Sequence, residues 1–163
     1  MQRQEQDRWC WAATAVSMTL FYTPSSSETQ CGLAKALLDK VSCCGSGGPT
    51  VCNTKANLEN ALARTGVLDH PPDAGGVDIT VIRNEIDNAR VLCWRFQWAG
   101  GTAAHFGAIA DYADGAIPQI RVFDPWLGVT WARLQDFNAG VYVDKDQLVR
   151  SGQWTDTYFT RKP

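Results

Sequence analysis

Gln4-Glu5-Gln6-Asp7-Arg8-Trp9-Cys10-Trp11-Ala12-Ala13 is the stretch on which the reading of the chain turns. Downstream of it Val16, Leu20 and Phe21 continue a helical spacing, which predicts one amphipathic or buried helix over residues 9–22. Asp7 is placed to cap that helix, so Cys10 falls in its first turn. Unpaired backbone N–H groups and the positive end of the helix dipole favour the thiolate there. The thiolate is the nucleophilic form of cysteine. The competing reading makes Cys10 a small buried hydrophobe, the common state of a free cysteine. The partners elsewhere in the chain decide between the two.

The 163 residues suit a single domain, with seven Trp, six Phe and four Tyr to build its core. A net charge of -2 gives no support to nucleic-acid or anionic-membrane binding. No apolar run approaches the roughly 18 residues of a spanning helix. Gln2 to Asp7 is polar and carries no signal-peptide pattern. Met1, directly ahead of a functional-looking segment, fits a domain cut from a longer protein.

Six cysteines are many for a chain of this size. Cys31, Cys43, Cys44 and Cys52 cluster around the loop Ser42-Cys43-Cys44-Gly45-Ser46-Gly47-Gly48-Pro49. Bridging adjacent Cys43 and Cys44 needs strained geometry, so Cys31 is expected to pair with one and Cys52 with the other. Such bridges imply an oxidising stage in the protein's life. A zinc site competes less well, because the cluster lacks spaced C-x2-4-C pairs. Cys93, in Val91-Leu92-Cys93-Trp94, reads as a buried thiol.

Helices are predicted over residues 29–40, 57–64 and 79–89. From residue 91 the pattern alternates, predicting strands over 91–98, 103–112, 119–123 and 153–160. Helices first and antiparallel strands later make an α+β layout, with a helical lobe over about 1–89 and a β-rich lobe over about 90–163.

A cysteine nucleophile needs a base and a group to orient that base. Of two histidines, His70 precedes Pro71-Pro72 in a loop and reads as an exposed turn residue. His105, in Gly100-Gly101-Thr102-Ala103-Ala104-His105-Phe106-Gly107, emerges at a strand start and is the candidate base. Asp124, at the end of the next strand in Phe123-Asp124-Pro125-Trp126, is the candidate orienter. Asp-Pro is also a turn starter, which is its structural reading. Trp126 would shield the His105–Asp124 hydrogen bond from water. Oxyanion donors would be the Cys10 backbone N–H and a side-chain amide upstream, Gln4 ahead of Gln2 and Gln6. Trp94, Trp98, Trp126 and Trp131 are candidates for a cleft wall, with core packing as the default reading.

Gln4, Cys10-Trp11, His105 and Asp124-Pro125-Trp126 together resemble the papain-like cysteine proteases, in that order along the chain. The resemblance implies a nucleophile at the head of the central helix of one lobe. It implies base and orienter from a β-rich second lobe, and a glutamine six residues before the nucleophile completing the oxyanion hole. More narrowly, Trp9-Cys10-Trp11-Ala12-Ala13 with Gln30-Cys31 and Cys43-Cys44…Cys52-Asn53 is similar to a compact bacterial branch of effector and interbacterial toxin proteases, and in outline to peptidases that trim double-glycine leaders. His105 follows Cys10 by 95 residues, less than the roughly 130–150 of the larger plant and lysosomal enzymes. The orienter here is an aspartate.

The expected activity is therefore an endopeptidase working through Cys10, His105, Asp124 and Gln4, with no metal or organic cofactor. Its expected partners are a protein substrate and, for a secreted or delivered toxin, a cognate immunity protein covering the cleft; the chain is expected to be a monomer. A glutamine deamidase, transglutaminase or peptidoglycan amidase would use the same thioester chemistry. A non-catalytic, disulfide-stapled binding module is the remaining alternative.

Overall fold

The computed structural model describes residues 1–45 and 51–163, so part of the glycine-rich loop expected after Cys44 lies outside the described residues. Among the described residues the chain forms five helices: α1 (Cys10–Tyr22), α2 (Gln30–Leu38), α3 (Leu58–Arg64), α4 (Ile79–Asp87) and α5 (Leu134–Asn138). Three start on the side-chain caps that polar residues provide. Thr29 accepts from the Gly32 N–H, Asn57 from Glu59, and Asp78 from both Thr80 and Val81.

Helix α1 departs from expectation at its start. Trp9 occupies the N-cap position and no side chain caps the helix, so Asp7 does not have the role assigned to it. The approach to the helix is held from outside instead: Asn53 Oδ1 accepts the Arg8 N–H at 2.9 Å. Cys10 is thus the first helical residue. Every residue from Cys10 to Thr19 is buried, so the helix is wrapped on all sides rather than amphipathic. Ser17 and Thr19 satisfy their hydroxyls by donating back to the Ala13 and Ala15 carbonyls.

One seven-stranded sheet completes the fold: β1 (Asp73–Ala74), β2 (Leu92–Trp98), β3 (Ala104–Ala113), β4 (Gln119–Asp124), β5 (Gly128–Arg133), β6 (Val141–Val143) and β7 (Val149–Phe159). The order is β1-β7-β2-β3-β4-β5, with β6 also on β7, and every pairing is antiparallel. The α+β class expected from the sequence is the one observed. Strands β1, β5 and β6 and helix α5 were not predicted; β1 falls in the segment read as a loop around Pro71-Pro72 and Gly75-Gly76. Gly128, at a φ of +87°, makes the turn into β5 directly after the Asp124-Pro125 break.

Side-chain alternation along β2 and β3 divides the core into two clusters. Val91, Cys93, Phe106 and Ala108 join Trp9, Trp11, Val16 and Leu58. Leu92, Trp94, Phe96 and Ile109 join Ile82, Phe137, Tyr142 and Trp154. Fully burying the rings of Trp9 and Trp11 contributes roughly 4–6 kcal/mol of gross transfer free energy each, at about 25 cal/mol per Å². Both indoles also reach a backbone carbonyl: Trp9 donates to Cys52 O at 2.8 Å and Trp11 to Thr54 O at 3.1 Å.

The carbonyl acceptors belong to a cross-linked segment. Cys43 pairs with Cys52 and Cys31 with Cys44, with Cα separations of 5.4 and 5.1 Å. This is one of the two arrangements the sequence allowed. Cys43 and Cys52 are fully buried. Cys10 and Cys93 remain as free thiols, and burial pushes the Cys93 thiol well above the ordinary range.

Candidate active site

The β3–β4 register sets Ala108 across from Phe123, and continuing it by one residue sets Gly107 across from Asp124. His105 and Asp124 are then diagonal neighbours on one face of the sheet, within reach of side chains of their length. Their separation is 2.7 Å, from His105 Nε2 to Asp124 Oδ1. Both residues are buried, and the Asp124 side chain has no exposed surface.

Asp124 is held from three further directions. Its Oδ1 also accepts the backbone N–H groups of Trp126 and Leu127, each at 2.7 Å, and its Oδ2 accepts the Tyr142 hydroxyl at 3.1 Å. The turn-starting role of Asp-Pro and the contact with His105 thus coexist in one carboxylate. Burial, the largest single effect on His105, opposes protonation. The hydrogen bonds and charges of Asp124 and then Cys10 outweigh it, raising the imidazole from 6.5 to about 9. With Nε2 committed to Asp124, Nδ1 is the ring nitrogen left for Cys10.

Cys10 and His105 line one cleft of about 920 Å³, together with Gln4, Trp98 and Trp126. Gln4 is buried, whereas Gln2 is partly and Gln6 partly exposed. The Gln4 backbone N–H donates to Pro125 O at 3.0 Å, which ties the approach to α1 to the residue after Asp124. One of its side-chain N–H groups is spent on Gln6 O at 2.7 Å. Its Oε1 is buried without a hydrogen-bond partner among the described residues.

The tryptophans separate. Trp94 is core, Trp98 and Trp126 border the cleft, and Trp131 is 44% exposed on β5. The rings packed around His105 are those of Trp94 and Trp98, with centroids at 6.0 and 6.1 Å. Trp126 is half exposed and meets Asp124 through its backbone N–H. His70 is exposed and stacks on Phe159.

Sequence reasoning missed Tyr142, which reaches Asp124 from β6, a three-residue strand with too short an alternating pattern to be recognised. It also missed why residue 107 is glycine. A Cβ there would collide with the Trp94 ring and lie 2.6 Å from the Phe123 carbonyl. Gly107→Ala is therefore expected to cost about 1–3 kcal/mol through overpacking. That corresponds to a fall in melting temperature of roughly 2–12 °C for a chain of this length. A thermal melt checks this, and an unchanged midpoint would mean the Trp94 side of the site yields freely.

A buried imidazole bonded to a carboxylate, beside a thiol at the head of a buried helix, is the geometry of a cysteine hydrolase. The family described as "Papain-like cysteine protease AvrRpt2" matches residues 1–141, and the chain belongs to that family of papain-like cysteine protease effectors. It is an enzyme, a hydrolase whose substrates are proteins. The chain is also similar to the crystal structure of the Pseudomonas avirulence protein AvrPphB, with 12% identity over 93% of this chain and 91% of that one, at a TM-score of 0.42. No curated protein matches the chain.

Proposed function

We propose that the chain cleaves proteins with Cys10 as nucleophile, His105 as base and acid, Asp124 as orienter, and Gln4 with the Cys10 N–H as oxyanion donors. The observation that carries this reading is the 2.7 Å His105–Asp124 bond, in a cleft that also presents Cys10 from the first turn of α1. His105, bonded to Cys10, is the group that takes up the thiol proton. Attack on the scissile carbonyl forms a tetrahedral oxyanion at the helix N-terminus, where backbone N–H groups are unpaired. His105 then gives its proton to the departing amine, leaving a thioester on Cys10. Water, deprotonated by the now neutral His105, hydrolyses that thioester and restores the thiolate–imidazolium pair.

The chain would act as an effector or toxin domain delivered as part of a larger protein, with a cognate inhibitor covering the cleft in the producer. Family membership supports the effector half of this reading. N-terminal-peptide proteomics on a bacterial lysate treated with the protein, with Cys10→Ala in parallel, is the test. New termini confined to the active sample are expected. Mass shifts or crosslinks on glutamine without new termini would replace proteolysis by deamidation or transglutamination.

The same site sets a pH dependence. With His105 raised to about 9, kcat/KM on a cleaved peptide is expected to hold through neutral pH. It should fall on the alkaline side near pH 9, as the imidazolium loses the proton the leaving amine needs. Asp124→Ala should bring that limb down toward the ordinary histidine range. A wild-type limb near pH 6.5 would show that Asp124 does not govern His105.

A further inference from the structure

The hydroxyl of Tyr142 has no packing reason to exist. Its ring is fully buried in an aromatic cluster with Phe137 at 5.6 Å and Trp94 and Trp98 each at 6.0 Å, a setting that phenylalanine would fill. A buried hydroxyl without a partner is costly, and this one has a single acceptor, Asp124 Oδ2 at 3.1 Å. The three other bonds to the carboxylate all converge on Oδ1. Among the described residues Tyr142 is the one donor to Oδ2. It is also the first residue beyond the segment matched by the family description, so nothing in that match assigns it a role.

Resting on the catalytic reading above, we propose that Tyr142 is a positioning residue: by donating to Asp124 Oδ2 it fixes the roll of the carboxylate and draws charge away from Oδ1, and so sets how firmly His105 keeps its proton. A carboxylate that shares its charge with a second donor pulls less on the imidazolium. The imidazolium then releases its proton more readily to a leaving amine. The ring arrangement supports the same connection. Tyr142 lies parallel to Trp98, with 7° between the planes, and Trp98 in turn stacks on His105 at 24°. The hydroxyl, the carboxylate and the imidazole are therefore held in one packed unit.

The charged groups around this unit are few. Tyr142 faces Asp124, and beyond it Asp144 and Arg150, which pair with each other at 3.0 Å. His105 faces Asp124 and Cys10. None of these changes when the Tyr142 hydroxyl alone is removed.

The experiment uses iodoacetate as the probe, so no substrate need be known. An anionic reagent is drawn to Cys10 only while the neighbouring imidazole is charged, and its alkylation rate falls on the alkaline side as that charge is lost. Peptide-resolved mass spectrometry separates Cys10 from buried Cys93. Tyr142→Phe is expected to move the alkaline limb up by about half a pH unit or more. In an Asp124→Ala background the same substitution is expected to move it by less than a quarter of that, because the residue acts through the carboxylate. A limb that stays or falls in Tyr142→Phe, or an equal shift in both backgrounds, overturns the proposal.

Should Tyr142→Phe fail to fold, the double variant decides. A Tyr142→Phe/Asp124→Ala protein that is as stable to denaturant as Asp124→Ala alone supports the coupling, since the hydroxyl then has no carboxylate to act through. A double variant less stable than Asp124→Ala makes Tyr142 a packing residue and overturns it. Failure of the catalytic reading looks different: His105→Ala would keep the wild-type alkaline limb whatever stands at position 142.

Discussion

Cys10→Ala is expected to abolish cleavage, lowering kcat/KM by about 10⁴-fold or more, while the melting temperature stays within a few degrees of wild type. The two halves of this expectation have separate origins. Removing a nucleophile leaves only what the oxyanion donors and binding contribute, a small residue of the original rate. Packing is barely disturbed, because the change deletes one sulfur from a helix already rich in alanine at Ala12, Ala13 and Ala15. The measurement is the count of new N-termini in a treated lysate, paired with a thermal melt. A variant that still generates those termini would make Cys10 a structural residue and restore the stapled-binding-module alternative. The melt separates loss of the nucleophile from loss of the fold.

The second large effect is expected from the cross-link. Cys43→Ala/Cys52→Ala should lower stability by about 2–4 kcal/mol, a drop of roughly 5–15 °C in melting temperature. It should also slow iodoacetate labelling of Cys10. Three consecutive residues, Cys52, Asn53 and Thr54, accept hydrogen bonds from Trp9, Arg8 and Trp11. The nucleophile is therefore flanked on both sides by groups anchored to one short segment, and the Cys43–Cys52 bond fixes where that segment begins. Removing Cys31–Cys44 should do less, since Cys44 is exposed and neither cysteine holds a neighbour of Cys10. Thermal melts of the two paired variants, and of the native protein with and without dithiothreitol, test the ranking. A Cys43→Ala/Cys52→Ala protein that melts with the wild type would show that the tryptophans hold the segment unaided.

The order of helices and strands was legible because each announces itself locally. Thr29, Asn57 and Asp78 cap their helices within a residue of the predicted starts. Leu92, Trp94 and Phe96 alternate strongly enough to read as a strand. Cys10, His105 and Asp124 were singled out because the chain has only two histidines, Cys10 falls in the first turn of a predicted helix, and Asp124 closes the strand predicted after that of His105. The Asp7 cap failed for the opposite reason: capping was inferred from a local preference, whereas the entry to α1 is held by Asn53, 45 residues away. Tyr142 was invisible as a neighbour of the site for a related cause. Its place depends on β6 and β7 joining the sheet, a long-range pairing that leaves no mark at residue 142. Gly107 was legible as a glycine but not as a necessity, because the ring that excludes a side chain there comes from β2.

Strand β7 lies between β1 and β2 in the sheet although it is the last strand of the chain. That placement orders events in time. At roughly 5–20 residues per second of synthesis, the stretch from Asp124 to Phe159 takes a few seconds to make. Throughout that interval the nascent polypeptide already carries Cys10, His105 and Asp124, while β2 still lacks its partner on one side. Pairing across so long a sequence separation is also intrinsically slow. The sheet that carries His105 and Asp124 is therefore completed only once β7 has been made and has found β2.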